Sequence, residues 1–386
     1  MIKKFSGLRR EFLAAAVIAT FVAPPLVVAQ STKVLKLGGL LTVTGPNASL
    51  GKEGLGGLEY AAKLVNAVGG VKIGPDMYTV QLINIDDESK AERTAAAVEK
   101  LISLDKTPVI FTTPASTTTL AILPALEKSK TVGMGFIAAA PAVISPEYSY
   151  NFRSTLSSIT NVNPGVDYMV KTRGVKNIAF VGRNDDWGRS AAAAISTRAK
   201  SLGANIVMEE YFDPGTTDFA SLFSKIRSTN ADAVIAAVSL ESVAFAKQYR
   251  ELRVRPTLMS VGVNLAAPSV IKAIGPSADG MLIATGPTTT ETPAVKAFVQ
   301  QFEKANGRPP LPYEMVGYDN MMIVLEAMKR AGSTDSTKVA ESLRKLEYKG
   351  LLQDYRFAGT NQSDVVINVN EIKDGRAVPI GSLVAR

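Results

Sequence analysis

The chain contains no histidine and no cysteine. Without imidazole or thiol there is no Ser-His-Asp triad, no cysteine nucleophile, no internal disulfide and no zinc site built from nitrogen and sulfur ligands. Charge of one sign is also scarce. Lys and Arg number 43 against 35 Asp and Glu, an excess of eight, and three of these lie in the first 29 residues, where Lys3, Lys4, Arg9 and Arg10 face Glu11 alone. The remaining five, spread over the rest of the chain, make no basic patch, so nucleic acid is not an expected partner. Beyond Ala29 no apolar run approaches the roughly 18 to 20 residues of a spanning helix. No Walker A motif, nucleophile elbow or Rossmann acidic partner is evident, which leaves an enzyme reading without a motif and no cofactor or metal expected. What remains is a chain of 386 residues, 46% apolar, long enough for two domains with substantial cores.

The N-terminus reads as a leader. Residues 1–11 are basic, Phe12 to Ala29 are mostly apolar but broken by Thr20 and Pro24-Pro25, and Val27-Val28-Ala29 ends in a small residue suited to cleavage. A signal peptide cut near Ala29 is expected, with the alternative of a membrane anchor weakened by the prolines. Arg9-Arg10-Glu11-Phe12-Leu13 resembles a twin-arginine signature, and an ordinary secretory leader with adjacent arginines is equally compatible. Either route makes the mature protein soluble and extracytoplasmic. A lipid anchor is excluded, because it needs a cysteine.

After Gln30, short apolar runs alternate with longer amphipathic stretches, as in βα units of a parallel sheet. Runs at Val34–Leu41, Tyr78–Ile85, Pro108–Phe111 and Thr131–Ile137 alternate with helical stretches at Gly51–Val68, Ser89–Leu104 and Ser116–Lys128. A second series follows Asn151-Phe152-Arg153, with strands at Ile178–Val181, Ile206–Tyr211, Ala233–Val238 and Thr257–Val261. The fold class expected is α/β, with two doubly wound lobes. Near the end, helical stretches at Thr292–Asn306, Tyr313–Ala331 and Asp335–Leu346 follow one another with no strand between, so they must cover a sheet already built. The chain is therefore expected to cross between lobes three times, giving lobe one as residues 30–153 with 286–357 and lobe two as 154–285 with 358–386.

Three loops lie between a strand and a helix, where such folds bind ligands. The segment Phe111 to Thr119 places Ser116 as an expected N-cap, with the unpaired backbone N–H groups of the helix start, around Ala115 and Thr117, able to hold an anion. Gly45 to Gly51, which contains Leu50, is the matching loop earlier in the chain, and Asn184-Asp185-Asp186-Trp187-Gly188 is its counterpart in the second series. Trp187 sits at a strand end and is expected to face a cleft, since aromatics supply much of the contact area in small-molecule sites. Plain turns and helix caps remain the alternative for each loop. Asp86-Asp87-Glu88 reads as a polar strand end with a cap rather than a metal cage, and Gly133 to Ala138 as strand rather than dinucleotide fingerprint.

Together with Gly45-Pro46, Asn66-Ala67-Val68-Gly69-Gly70-Val71, Asp86-Asp87-Glu88-Ser89, Ala278-Asp279-Gly280-Met281 and Tyr313-Glu314-Met315-Val316-Gly317-Tyr318-Asp319, these features resemble the leucine/isoleucine/valine-binding protein family. These are type I solute receptors of ABC importers. The resemblance spans Lys33 to Arg386 and implies a periplasmic, monomeric Venus flytrap whose lobes close on a small solute and deliver it to inner-membrane permease subunits. It places Ser116 at the ligand carboxylate. A second family hydroxyl falls at Ala139 in Ile137-Ala138-Ala139-Ala140-Pro141, where only a backbone contact remains. The acidic residue that pairs a ligand ammonium falls near Gly262 in Ser260-Val261-Gly262-Val263-Asn264, with no carboxylate adjacent in sequence. Leu50, Ala139 and Val238, with Trp187 opposite, are expected to line an apolar space. An aromatic or aliphatic organic acid therefore fits somewhat better than an amino acid, because a buried ammonium without a counter-charge is costly. Rival readings are a branched-chain amino acid receptor, a sensor domain feeding a signalling partner, and an exported hydrolase.

Overall fold

The computed structural model describes residues 32–286 and 292–385; the expected leader lies outside them. Strand β1 (Lys33–Gly39) leads through helix α1 (Ala48–Ala67) to the hairpin β2 (Val71–Ile73) and β3 (Asp76–Asn84), and then come α2 (Ala91–Ser103), β4 (Val109–Phe111), α3 (Ser116–Ser129), β5 (Val132–Gly135) and β6 (Asn151–Arg153). The six strands form one sheet in the order β2-β3-β1-β4-β5-β6, parallel except for β2. Its central strand β4 is buried on both faces, as parallel sheets are. Val109 and Phe111 join the core with Leu37, Met134 and Met321, while Ile110 points the other way to Val98, Leu101, Ile122 and Leu123.

The second series begins with α4 (Ser158–Asp167) and continues with β7 (Asn177–Arg183), α5 (Asp186–Ser201), β8 (Asn205–Phe212), α6 (Ala220–Arg227), β9 (Ala233–Ala237), α7 (Ser242–Glu251), β10 (Thr257–Ser260), α8 (Pro268–Ile274) and β11 (Leu282–Thr285). Helices α9 (Pro293–Asn306), α10 (Pro312–Ala331) and α11 (Ser336–Arg344) and the small hairpin β12 (Glu347–Lys349) and β13 (Asp354–Arg356) pack with the first sheet, whereas β14 (Val365–Lys373) and β15 (Arg376–Ala385) complete the second. That sheet runs β15-β14-β11-β10-β9-β7-β8 and is parallel except for β14, which runs antiparallel to both of its neighbours, β11 and β15. Three consecutive helices thus return to a sheet already built, for the reason the sequence suggested. Helix α4 was not expected. Its Asn161, Asn163, Pro164 and Gly165 disfavour a helix on propensity, but a capping box of Ser157 and Thr160 starts it, and Val162 and Val166 bury against Leu282 and Ala284.

Helices α1 and α10 pack backbone to backbone. A Cβ at Gly57 would overlap the Glu314 carbonyl, and one at Gly317 would overlap that of Gly54, so only glycine allows this approach. The seam brings two carboxyls out of water. Asp319 on α10 is fully buried and accepts hydrogen bonds from the N–H groups of Leu351 and Leu352 and from the Tyr355 hydroxyl, at 2.7, 3.0 and 2.8 Å. Burial nevertheless pushes its pKa up to about 6. Glu53 on α1 is pushed up to about 7, chiefly by burial and also by the Glu314 carboxylate, against the opposing effects of the Tyr313 N–H, the Ser49 hydroxyl and Arg308.

Both acids ionise near pH 4 in the unfolded chain. Between there and their folded values the native protein keeps protons that the unfolded chain has lost, so their contribution to stability falls as pH rises from about 4 to about 7. Replacing Glu53 by Gln is expected to match the wild type at pH 4 and to exceed it by on the order of 3 kcal/mol at pH 7.5. Urea titrations of both proteins across that range check it, and a difference that does not grow with pH would contradict the assignment.

Candidate functional site

A cleft opens where the carboxyl ends of the two sheets face each other. In the first sheet β1 has β3 on one side and β4 on the other, and in the second β7 has β8 and β9. Chain direction along the sheet reverses at each of these points, so the following loops splay apart and leave a crevice. The loops after β1, β4, β7 and β9 supply Asn47 and Leu50, Pro114 to Ser116, Arg183, Asp185 and Trp187, and Ser239. Ile137 and Ala139 enter from the loop after β5, Gly262 from that after β10, Asn161 from α4, Tyr313 from α10, and Leu156 from the first crossing. The cavity has a volume of about 590 Å³, including the part open to solvent.

Of the residues singled out from sequence, Leu50, Ala115, Ser116, Ile137, Ala139 and Trp187 share this cavity. Thr117 and Val238 do not join them there. Thr117 points to the rim, where its hydroxyl donates to Asp186 across the cleft at 2.6 Å. Val238 is buried in the second core with Val181 and Val234; Ser239, one residue on, takes the wall position, since alternate residues face opposite sides of an extended segment. The side chain of Asn264 lies outside the described residues.

Ser116 is not the N-cap. Ala115 holds that position with extended backbone, and Ser116 opens the helix. Its Oγ, nearly buried, instead accepts the Ala140 N–H at 3.1 Å. Accepting that bond leaves the hydroxyl proton to donate elsewhere. The neighbouring threonines fasten the turn: Thr113 and Thr118 share a hydrogen bond, Thr118 donates to the Ala115 carbonyl, and Thr119 donates to that of Thr113. The first N–H groups of α3 have no partner inside the helix and carry the positive end of its dipole.

Asp86 and Asp87 have local duties. Asp86 accepts from the Val43 and Thr44 N–H groups and the Thr44 hydroxyl, and Asp87 from the hydroxyls of Thr42 and Thr94. They pin the loop after β1 to the loop after β3.

No carboxylate adjoins Gly262 in sequence, but one, Asp185, lines the same cavity. Its Oδ1 caps α5 through the Gly188 N–H at 2.8 Å, and its Oδ2 lies 3.3 Å from Arg183 Nε. The Arg183 guanidinium also lies 3.8 Å from buried Glu241 and donates to Asn47 of the facing loop at 3.4 Å. Glu241 in turn accepts the N–H groups of Gly215 and Ser239. Two cavity atoms are buried without a hydrogen-bond partner, Arg183 Nε and Asn161 Oδ1. Sequence reading included Asn47 and Asp185 only as members of candidate loops and did not single out Asn161, Arg183, Ser239 or Tyr313 as site residues. The alternating strand pattern does signal Arg183 and Ser239, each closing an apolar run at its carboxyl end; nothing local marks Asn161 or Tyr313. Gly262 is dictated by space, as a Cβ there would lie 2.6 Å from the Val238 carbonyl oxygen.

The periplasmic binding protein family model matches residues 34–376. The chain is 28% identical over 308 residues to an amino acid binding protein of Pseudomonas aeruginosa, covering 78% of this chain and 80% of that protein. Among solved structures it shares its fold with the branched-chain amino acid transporter substrate-binding protein of Streptococcus pneumoniae in complex with isoleucine (TM-score 0.79, 19% identity, 92% and 99% of the two chains covered). It is equally similar to an ABC transporter solute-binding protein of Rhodopseudomonas palustris in complex with 3,4-dihydroxybenzoic acid (TM-score 0.81, 20% identity, 91% and 98% covered).

Removing the Arg183 guanidinium leaves Asp185 and Glu241 without their shared counter-charge. Arg183→Met is expected to destabilise the protein by about 3 to 5 kcal/mol, with part recovered when Glu241 is also made apolar. Urea unfolding of the two variants checks this; an Arg183→Met protein as stable as the wild type would show the cluster to be unimportant.

Proposed function

We propose, because the chain belongs to the periplasmic binding protein family, that it is the extracytoplasmic solute-binding component of an ABC importer of the branched-chain amino acid type. In this reading the leader is removed near Ala29, and the monomer closes its two lobes on a small carboxylate-bearing solute and presents it to inner-membrane permease subunits. The solute is an aromatic or aliphatic organic acid in preference to an amino acid. Among the described residues no helix is long and apolar enough to cross a membrane.

The observation that carries the reading is the contrast between the two walls. On one, the Ser116 hydroxyl and the start of α3 offer donors and a positive dipole end with no protein carboxylate accepting them. On the other, Asp185 and Glu241 share Arg183, Asp185 also caps α5, Glu241 accepts two backbone N–H groups, and Asp186 accepts the Thr117 hydroxyl at the rim. This favours an anion at the first wall, while each carboxylate of the second already has protein partners. A hydrophobic amino acid is the second reading, supported by Asp185, a carboxylate on the cavity wall.

A thermal-shift screen of the mature protein tests both. Benzoate-type and aliphatic acids at a hundred times their dissociation constants are expected to stabilise it by about 2.7 kcal/mol, and leucine or valine not at all. Ser116→Ala should weaken acid binding tenfold to a hundredfold, the value of one charge-assisted hydrogen bond. Stabilisation by leucine, lost in Asp185→Asn, would instead establish the amino acid reading.

A further inference from the structure

Behind the candidate site lies a second chamber. It is lined by Phe136, Pro312, Val316, Leu352, Val365 and Gly286, with a volume of about 560 Å³ including its open part. Ile137, Leu156 and Tyr313 line both spaces, so the chambers meet at these three side chains. The two differ in chemistry. The front chamber is lined by charged and polar side chains, among them Asn47, Asn161, Arg183, Asp185 and Ser239. The rear chamber is mostly apolar, and two of its polar groups are engaged: the Tyr355 hydroxyl donates to Asp319, and the Gln353 side chain accepts the Val366 N–H. No rear-chamber residue has a buried polar atom without a partner among the described residues.

An apolar body kept wholly in the front chamber would take water from its polar wall, where Asn47, Asn161, Arg183, Asp185 and Ser239 stand, a costly arrangement. The rear chamber imposes no such cost. We propose, resting on the carboxylate reading above, that the solute is a monocarboxylate with an elongated apolar body, a medium-chain alkanoate or ω-arylalkanoate. Its head group meets Ser116, and its tail passes between Ile137, Leu156 and Tyr313 into the rear chamber. The front chamber then keeps water at Asn161 and Arg183. Thr155, Gly286 and Val365, from the three segments where the chain changes sheets, touch the tail, which couples tail length to the hinge as well as to the site.

The test uses the mature protein and Trp187, the only tryptophan, whose ring lines the front chamber and reports occupancy by fluorescence. Straight-chain acids from butanoate to decanoate and phenyl acids from benzoate to 6-phenylhexanoate are titrated. Affinity is expected to rise roughly three- to fourfold per methylene until the rear chamber is full. Val316→Phe, and independently Val365→Phe, should abolish that rise while short acids bind as before, with thermal melts confirming that both variants fold. If short acids bind in a Ser116-dependent way and affinity is flat or falls with length, or if the two fillings change nothing, the tail proposal is wrong and the carboxylate reading stands. If no acid of any length binds, both fall.

Discussion

The geometry of the candidate site depends on one buried cation, Arg153. It stands at the end of β6, where the chain leaves the first sheet, and is almost wholly out of water. Its guanidinium donates to the Gln362 side chain at 2.6 Å and to the carbonyls of Ala140 and Ala138 at 2.9 and 3.4 Å. Its backbone bridges Asn361 and Ser363 in the third crossing. Burial lowers its pKa to about 9, so the group remains charged at neutral pH, and its donors must find acceptors inside the protein. Those acceptors are the loop that carries Ala139 and Ala140. The Ala140 N–H then holds Ser116 Oγ, while the Ala139 carbonyl accepts from the backbone and hydroxyl of Ser158, the first residue of α4. One arginine thus ties the first and third crossings to the anion-binding end of α3 and the start of the helix that presents Asn161.

Around that knot, the cavity follows from topology. Each sheet reverses its winding direction once, and the two reversal points are set face to face, so loops from unrelated stretches of sequence converge without any one of them being a motif. This explains why the polar groups at the two walls differ. The first sheet contributes the start of α3, which has no side-chain cap, and the second contributes the start of α5, already capped by Asp185, beside Glu241 held by the Gly215 and Ser239 N–H groups. A crevice of this kind selects by where charge has been left unmatched more than by the number of polar residues it contains.

Much of this was legible in the sequence, and what was not has a physical reason. Strands buried on both faces announce themselves as apolar runs, which is why β1, β4, β7, β9 and β10 stand where the pattern put them. Of the strands of three residues, β4 is a wholly apolar run and could be read, whereas β2, β6 and β12 offer no such run and no periodicity, and α4 forms against its propensity because capping and tertiary burial outweigh Pro164 and Gly165. At the site, Ser116 and Trp187 were visible as loop residues between a strand and a helix. The cap was misplaced by one residue because a serine that caps and a serine that opens a helix look alike in one dimension. Val238 was misplaced by one for the related reason that a single-residue step changes which side a strand end faces. The presence of Asp185 and Gly262 in one cavity spans 77 positions, a distance that no local pattern crosses.

The contacts that join the two layers at the mouth are of a different kind from those that build each layer. Inside the first layer, α1 and α10 meet at glycines with no room for adjustment. Across the mouth there are single hydrogen bonds, Thr117 to Asp186 and Arg183 to Asn47, the latter long at 3.4 Å. Bonds like these exchange readily with water and add little net stability. The layers are therefore rigid and their approach is soft, so the balance between open and closed arrangements is open to a small differential free energy. A solute that contacts both walls, and only when they are near, supplies that difference. Among the described residues those two are the side-chain hydrogen bonds that span the mouth, and a cleft held so lightly is the condition a receptor needs to distinguish loaded from unloaded.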